Sequence, residues 1–214
     1  MSQVKGKQAQ KSRETRRRIL TAAGELFTER GYGNTSLQDV ADRAGVAVQT
    51  IYFTFRNKRN MLKELVDVTV AGDEESLATM DRPWFHQAMN TRTAGEHLQA
   101  HVEGVTTILG RVAPIIEVLH TAAAIEPELD TLRQQGLEQR YLVQETAARA
   151  MLGKPEAAAN MTVDRAADIL FGILSPELYL LFVRDRSWPV SQWRQWAHTT
   201  LSAQLVNSRN TANQ

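Results

Sequence analysis

Apolar residues in the segment 35–60 recur at spacings of three and four, which is the pattern of an amphipathic helix. The first stripe in this segment consists of Leu37, Val40, Ala41 and Ala44. Thr35 or Ser36 can cap this helix at its start, and an amide or acidic residue three positions later completes a capping box. Gly45 follows the stripe, where a left-handed residue commonly ends a helix. The pattern therefore predicts a short helix that ends in a tight turn.

A second short helix is predicted over 48–55, directly after the turn. Ile51 and Phe55 share one face of this helix and can pack inward. The residues that point away from that face are Val48, Gln49, Tyr52 and Phe53. A helix of fewer than three turns is not stable alone, so a function must explain its outward aromatic residues. A helix-turn-helix, which lays its second helix in the major groove of DNA, supplies that function.

Amphipathic helices are also predicted on both sides of this pair. The helix before it covers about 13–30, and the helix after it begins at Asn57, a good N-cap. The first turns of the earlier helix carry four arginines, Arg13, Arg16, Arg17 and Arg18. Because cations are mildly unfavourable at a helix N-terminus, DNA phosphate explains the cluster better than helix stability does; simple solvation is the alternative. Residues 1–12 lack periodicity and are predicted to be a disordered basic arm.

The formal net charge of +1 hides an asymmetry along the chain. Residues 1–63 contain 13 Lys or Arg against 5 Asp or Glu, whereas residues 64–214 contain 12 against 19. This division indicates one nucleic-acid-facing module, and a basic tail on a neutral protein is the alternative.

No cysteine is present, which excludes disulfides and thiolate metal sites. Without an apolar signal region or a run approaching about 18 apolar residues, a cytoplasmic protein with no membrane partner is expected.

Residues 13–66 resemble the DNA-binding domain of the tetracycline-repressor (TetR) family. The features that carry the resemblance are the segments TRRRILTAAGELFTERGY, TSLQDVADRAGV and TIYFTFRNKRNML, in this order and spacing. The resemblance implies that phosphates are held by Thr35, Ser36, Tyr52 and Lys58. It implies that bases are read by Val48, Gln49 and Phe53, with Thr50 near the DNA backbone. Two positions depart from the family pattern: Ala47 replaces the usual Ser or Thr cap, and Val48 replaces a frequent Lys or Arg.

The rest of the chain shows helical patterns without strand-type alternation. The predicted fold is therefore all-α, with an N-terminal three-helix helix-turn-helix domain and a C-terminal helical bundle that binds ligand and dimerises. The predicted limits are 13–58 for DNA binding, 59–207 for the helical domain and 208–214 for a flexible tail. The predicted later helices cover 96–112, 115–124 after a break at Pro114, 129–152 with a division near Gly136, 164–184 with a kink at Pro176, and a last helix after Pro189.

A dimer is expected because a single short recognition helix reads only a few base pairs. The helices near 136–152 and 164–184 are the predicted interface, since 164–184 is apolar on too much of its circumference for one partner face. The family resemblance implies the same arrangement, with two helices from each subunit. The alternative is that 164–184 forms the central core helix of a monomer.

The resemblance also implies a ligand pocket between helices, although no sequence signature identifies it. The candidate lining residues are Trp84, Phe85, Met89, His97, His101, Glu117, His120, Tyr141 and Phe171. The aromatic residues and Met89 more often belong to a core, and a pair such as Glu117 and His120 more often lies on a solvated face. His97 and His101 have the i,i+4 spacing of zinc ligands, but without a third ligand nearby no metal site is predicted, and no cofactor is expected.

The sequence therefore favours a homodimeric transcription regulator that binds a palindromic operator in double-stranded DNA. A repressor released by a small-molecule inducer is the leading hypothesis. A DNA-binding regulator without a ligand, controlled by a protein partner or by its abundance, is the alternative. The sequence contains no nucleophile elbow, Walker loop, HExxH or dinucleotide-binding glycine turn, so an enzyme is not expected.

Overall fold

The computed structural model describes residues 2–72 and 78–207, and the helices and short helical turns in these ranges confirm the predicted all-α class. The helices are α1 (Ser2–Arg30), α2 (Leu37–Ala44), α3 (Val48–Phe55), α4 (Lys58–Ala71), α5 (Pro83–Met89), α6 (Ala94–Ala123), α7 (Glu128–Leu152), α8 (Val163–Ile173), α9 (Pro176–Leu180) and α10 (Val190–Leu205). A 3₁₀ turn, Thr79–Asp81, precedes α5, and a π-helical turn, Leu181–Asp185, follows α9. Met1 and the predicted tail at 208–214 lie outside the described residues.

The chain divides into two compact units. The first contains the residues up to Thr69 together with Pro114–Arg133, and the second contains Val70–Ala113 together with the residues from Gln134 onward. The predicted boundary after residue 58 differs from this division because α4 belongs to the first unit as far as Thr69. Its residues Met61 and Leu62 are fully buried in the core of that unit.

The core of the first unit is formed by apolar side chains from four helices and from the segment 114–133. The helices α1 and α2 contribute buried residues such as Leu26, Phe27 and Val40. The helix α3 contributes Ile51 and Phe55, which are 0% and 3% exposed. Both residues lie on the face that the periodicity predicted, so the orientation of α3 follows from its sequence.

The first helix differs from the prediction because it begins at Ser2 rather than near residue 13. The predicted disordered arm at 1–12 is therefore helical over 2–12. Lys and Gln, which are the commonest residues of this stretch, have high intrinsic helix propensity. An amphipathic pattern detects only helices that bury one face, and this stretch has no apolar stripe.

Two predicted interruptions are absent from the described helices. Helix α6 continues through Pro114, although proline removes one backbone hydrogen bond. The neighbouring residues Ala113 and Ile115 are buried, and this packing compensates for the lost bond. Helix α7 likewise continues through Gly136, where glycine costs about 1 kcal/mol relative to alanine.

The predicted kinked helix over 164–184 is instead broken into separate elements. Helix α8 ends at Ile173, and the Ser175 hydroxyl caps α9 by accepting a hydrogen bond from the Leu178 amide at 3.1 Å. Pro176 is the first residue of α9, a position where its missing N–H costs nothing.

Contrary to expectation, the segment Val163–Asp185 is long enough and apolar enough, by length and composition only, to cross a membrane. Core helices of soluble proteins have the same property.

Two histidines one turn apart on α6 are buried in the second unit. His97 and His101 are each 1% exposed, and His101 Nε2 lies 2.8 Å from Gln144 Oε1. Neither ring nitrogen of His97 has a hydrogen-bond partner in good geometry among the described residues. Burial, together with the charges of His101 and Lys154, lowers the pKa of His97 to about 4. The imidazole is therefore neutral at physiological pH.

Loss of the cap on α2 is expected to destabilise the first unit. Ser36→Ala should lower the free energy of unfolding by about 1 kcal/mol, because the hydroxyl that satisfies the Asp39 amide is removed. Ala47→Ser, which adds a hydroxyl at the uncapped start of α3, should raise it by up to about 1 kcal/mol. Urea denaturation of both variants at one protein concentration measures the two effects, and a loss in both would contradict the cap assignments.

Acidification is expected to destabilise the second unit through His97. Between pH 6.5 and 4 the unfolded state binds a proton at this residue that the folded state does not, so stability falls as the pH is lowered, by about 1.4 kcal/mol per pH unit for one proton. His97→Leu should flatten this dependence, whereas leucine at the exposed His86 should not. Urea denaturation between pH 4 and 7.5 compares the slopes. Equal slopes for wild type and His97→Leu would contradict the assignment.

Candidate functional site

The connection between α2 and α3 is fixed by a capped start and a left-handed end of α2. The Ser36 hydroxyl accepts a hydrogen bond from the Asp39 amide at 3.1 Å, and the Asp39 carboxylate accepts one from the Ser36 amide at 2.8 Å. This confirms the predicted capping box. Gly45 ends α2 with φ 65° and ψ 44°, a conformation that glycine adopts without strain. These local features set the direction in which α3 leaves the turn.

Helix α3 presents a polar and aromatic face to solvent. Gln49 is exposed, and Tyr52 and Phe53 are 54% and 91% exposed. The amide of Gln49 can both donate to and accept from adenine, and the Phe53 ring can contact a thymine methyl group. The Tyr52 hydroxyl can donate to a phosphate oxygen. This face therefore has the chemistry required to read DNA in the major groove.

Thr35, a predicted phosphate-binding residue, points inward. Its side chain is 1% exposed, and its hydroxyl donates to the carbonyl oxygens of Gly31 at 2.9 Å and Leu26 at 3.3 Å. The hydroxyl therefore joins the end of α1 to the start of α2 and does not reach the surface. Val48 and Thr50 are half-buried, and Val48 packs against the core. Ser36 is exposed, but its hydroxyl already acts as the cap of α2.

The ammonium group of Lys58 is also directed toward the protein. Its Nζ donates to the carbonyl oxygens of Tyr32 at 2.9 Å and Thr35 at 3.0 Å, and lies 4.2 Å from the centre of the Tyr32 ring. Partial burial lowers the pKa of Lys58. The Tyr32 hydroxyl in turn donates to Glu126 Oε1 at 2.9 Å, and burial raises the pKa of Tyr32. Lys58 thus holds the connection between α1 and α2 against the start of α4.

The arginines of α1 have different surroundings. Arg16 forms an ion pair with Glu64, whereas no ion pair to a described residue involves Arg17 or Arg18. Arg17 and Arg18 line a shallow surface concavity of about 420 Å³. In the same concavity Arg43 is paired with Glu25 at 3.2 Å and with Glu29 at 3.1 Å. The sequence therefore identified the basic cluster but could not show which of its members are already neutralised.

The second unit contains a half-open cavity of about 460 Å³. Its walls come from the end of α4, the segment leading into α5, α5 itself and the middle of α6. The lining residues are Val70, Ala71, Thr79, Arg82, Pro83, Trp84, Gln87, Ala100, Glu103, Gly104, Thr107, Ile108 and Arg111. Trp84 alone among the predicted pocket residues lines it. The remaining lining residues gave no sequence signal because they are ordinary exposed or small residues of amphipathic helices.

The other predicted pocket residues are dispersed over the two units. Phe85, His97 and His101 are buried, with the Phe85 and His101 ring centres 6.3 Å apart, and Met89 is half-buried. Tyr141 and Phe171 pack on each other with ring centres 5.6 Å apart, and the Arg140 guanidinium lies 3.5 Å from the Phe171 ring. Glu117 and His120 belong to the first unit. Helical periodicity placed these residues on faces but could not show which faces meet.

Metal binding receives no support from the part of the chain that the structure describes. Three or more His, Asp or Glu side chains do not come close enough together in these residues to hold a metal ion. The spacing of His97 and His101 is explained by packing, since their rings stack with centres 6.1 Å apart.

Comparison with known proteins relates the helix-turn-helix to a defined family. The family model described as bacterial regulatory proteins, tetR family, matches residues 19–65. The HTH-type transcriptional regulator TtgR of Pseudomonas putida is 28% identical over 126 residues, which cover 59% of this chain and 59% of TtgR. The chain spans between 56% and 59% of the length of this and two further curated regulators.

Solved structures share the fold over nearly the whole chain. A protein from Saccharomonospora viridis, solved in complex with choline, has a TM-score of 0.72 and 22% identity, and the match covers 91% of this chain and 99% of that one. The SmeT–triclosan complex has a TM-score of 0.71 and 20% identity, with coverages of 94% and 98%. The helix-turn-helix of this chain is therefore similar to that of the tetR family of bacterial regulatory proteins, and its remaining helices share the fold of these solved structures.

Proposed function

We propose that the protein is a sequence-specific DNA-binding transcriptional regulator that works as a homodimer and leaves its operator when a small molecule binds. The observation that carries the proposal is the exposed face of α3. Gln49, Tyr52 and Phe53 project from a helix that buried Ile51 and Phe55 hold in place. The exposed rings of Phe53 and its neighbour Tyr52, which are 91% and 54% exposed, together give α3 an aromatic surface that a partner can cover. The major groove of DNA provides that partner.

The roles of the predicted DNA contacts can be refined from their surroundings. Gln49 and Phe53 are proposed to read base edges, and Tyr52 to donate to a phosphate. Arg17 and Arg18, which no described carboxylate neutralises, are proposed as further phosphate contacts. A direct phosphate contact by Lys58 requires its ammonium to exchange one of two carbonyl partners for the DNA. Thr35 is proposed to act indirectly, by fixing the start of α2.

The homodimer is proposed to form through α7 and the apolar region of α8 and α9. The segment Val163–Asp185 has a mean hydropathy of 1.7, yet less than half of it is buried within the chain. Leu142 on α7 and Leu181 after α9 are 47% and 46% exposed. Burial of these side chains against a second copy would remove apolar area from water. A dimer also presents two recognition helices to the two halves of a palindromic operator.

Release by a small molecule is supported by the cavity in the second unit. Its volume of about 460 Å³ lies within the range of ligand sites, about 300–1,000 Å³. Structures similar to this chain were solved with choline and with triclosan. The cavity favours this hypothesis over a regulator without a ligand. A ligand shifts the DNA-binding equilibrium only by its differential affinity for two states, typically about 1–3 kcal/mol. We further propose that the protein acts as a repressor and that it is cytoplasmic.

Substitutions on α3 are expected to separate base reading from phosphate binding. Gln49→Ala should relax preference at one base position by about 1–3 kcal/mol, because the bidentate amide contact is lost. Tyr52→Phe should weaken binding to all sequences alike, by about 0.5–1.5 kcal/mol, since it removes only a hydrogen bond to the DNA backbone. Fluorescence anisotropy on the DNA flanking its own gene, and on single-base variants of the bound site, measures both. Salt-insensitive binding without sequence preference would contradict the proposed function.

A charge introduced into the proposed dimer interface is expected to separate the subunits. Leu181→Glu should raise the dimer dissociation constant at least about tenfold, because a carboxylate would be buried without a partner. Val190→Glu is the matched control, since Val190 is 44% exposed but lies at the start of α10. Sedimentation equilibrium measures the dissociation constants. A monomeric wild-type chain, or equal effects of the two changes, would refute the proposed interface.

A further inference from the structure

The connection between α3 and α4 contains a strained residue that is not glycine. Arg56 ends α3 with φ 67° and ψ −46°, and the Asn57 amide donates to the Phe55 carbonyl oxygen at 2.8 Å. A hydrogen bond that closes over one residue of positive φ is the form of γ-turn that is rare and strained. Glycine would adopt this conformation without strain, so an arginine here costs stability. Strain of this kind clusters at functional sites.

The charge of Arg56 is not neutralised by the residues that the structure describes. Its side chain is exposed, and it forms no ion pair with any residue in the described ranges. The two basic residues that follow nearby are held within the protein, Lys58 by carbonyl oxygens and Arg59 by Glu128 at 2.9 Å. A cation at the end of α3 interacts favourably with the helix dipole, but salt screens this effect at an exposed position. The Arg56 guanidinium is therefore available to an external anion.

The backbone at Arg56 aligns its side chain with the exposed face of α3. The Arg56 amide still donates to the Tyr52 carbonyl oxygen, at 3.0 Å, so the residue lies one turn after Tyr52 and three residues after Phe53. Residues at these spacings share one side of a helix. At this positive φ the Cβ takes the place about the N–Cα bond that the carbonyl carbon has in a helix. The side chain thus leaves α3 in the direction in which the helix would have continued.

We infer that Arg56 is a further DNA-binding residue, whose guanidinium contacts a phosphate at the C-terminal end of the recognition helix. This role rests on the proposed function and deepens it, because it adds a backbone contact beyond the base-reading residues of α3. Helix-turn-helix proteins read bases with the first residues of this helix, and in homeodomains its C-terminal end contacts the DNA backbone. A guanidinium matches the geometry of phosphate with two parallel N–H···O bonds. The DNA contact then explains why strain is kept at a position that glycine would relieve.

Removal of the charge tests the phosphate contact in the full-length chain. Arg56→Gln should weaken binding to the DNA flanking its own gene by about tenfold for each subunit, as is typical of a hydrogen bond to a charged group. Single-base variants of the bound site should be affected alike, and the slope of log K against log salt concentration should fall by about one for each subunit. Fluorescence anisotropy over a range of salt concentrations measures both. An unchanged salt slope would overturn the inference.

A second arginine provides the matched control. Arg92 is exposed and belongs to the second unit, so Arg92→Gln removes the same charge from outside the helix-turn-helix. Its DNA affinity and salt slope should equal those of the wild type. An equal loss in Arg56→Gln and Arg92→Gln would overturn the inference, because net charge alone would then explain the effect.

Glycine at position 56 separates the DNA contact from a structural role. Arg56→Gly should bind DNA as weakly as Arg56→Gln, yet its urea denaturation midpoint at one protein concentration should be higher, since both variants lack the charge and only glycine relieves the strain. An equal or lower midpoint would overturn the inference, because strain would then give no reason for a functional arginine. Arg56→Lys should recover the salt slope but not the full affinity, because an ammonium lacks the guanidinium fork.

These measurements distinguish failure of the Arg56 contact from failure of the proposed function. A wild-type chain without salt-sensitive, sequence-selective DNA binding would remove the proposed function. Wild-type binding that Arg56→Gln retains with its full salt slope would overturn the Arg56 contact alone. Circular dichroism verifies folding, and the glutamine and lysine variants decide the contact if the glycine variant does not fold.

Discussion

The burial of Ile51 and Phe55 is the constraint on which the proposed DNA-binding surface depends. Helix α3 has eight residues and no side-chain cap at its start, so hydrogen bonding within it cannot keep it folded. Packing of these two side chains into the core holds it, and the same packing fixes which residues face outward. Helical geometry places Gln49, Tyr52 and Phe53 away from a face defined by positions 51 and 55. Recognition chemistry at this surface is thus inseparable from the stability of the first unit.

Polar contacts beneath the surface determine where that helix begins. Thr35 bonds to carbonyl oxygens at the end of α1, and Lys58 bonds to the carbonyl oxygens of Tyr32 and Thr35. Buried carbonyl groups without donors would be costly, so both side chains have a structural reason to be present. A role in phosphate binding, which the family resemblance implies for both, therefore has to be weighed against this internal role. Loss of DNA binding in a Lys58 variant would therefore not by itself distinguish phosphate binding by Lys58 from its internal structural role.

The sequence predicted features that depend on neighbours within one turn of helix. The capping box at Ser36, the left-handed end at Gly45 and the uncapped Ala47 are local, and the structure confirms all three. The predictions of features that depend on packing between distant segments were wrong or incomplete. Pro114 does not break α6, because burial on both sides of it outweighs one lost hydrogen bond. The cavity was missed for the same reason, since its shape depends on which helical faces meet.

Two helices contribute residues both to the core of the first unit and to the cavity of the second, so the proposed switch would act through these helices. Helix α4 supplies Met61 and Leu62 to the core of the first unit and Ala71 to the cavity lining, and α6 supplies Val118 and Gly104 in the same way. A close-packed core resists continuous deformation, so a displacement of α4 or α6 within the first unit would require the core that holds α3 to repack. Because burial of Ile51 and Phe55 in that core determines which residues of α3 face outward, such repacking would change how Gln49, Tyr52 and Phe53 are presented.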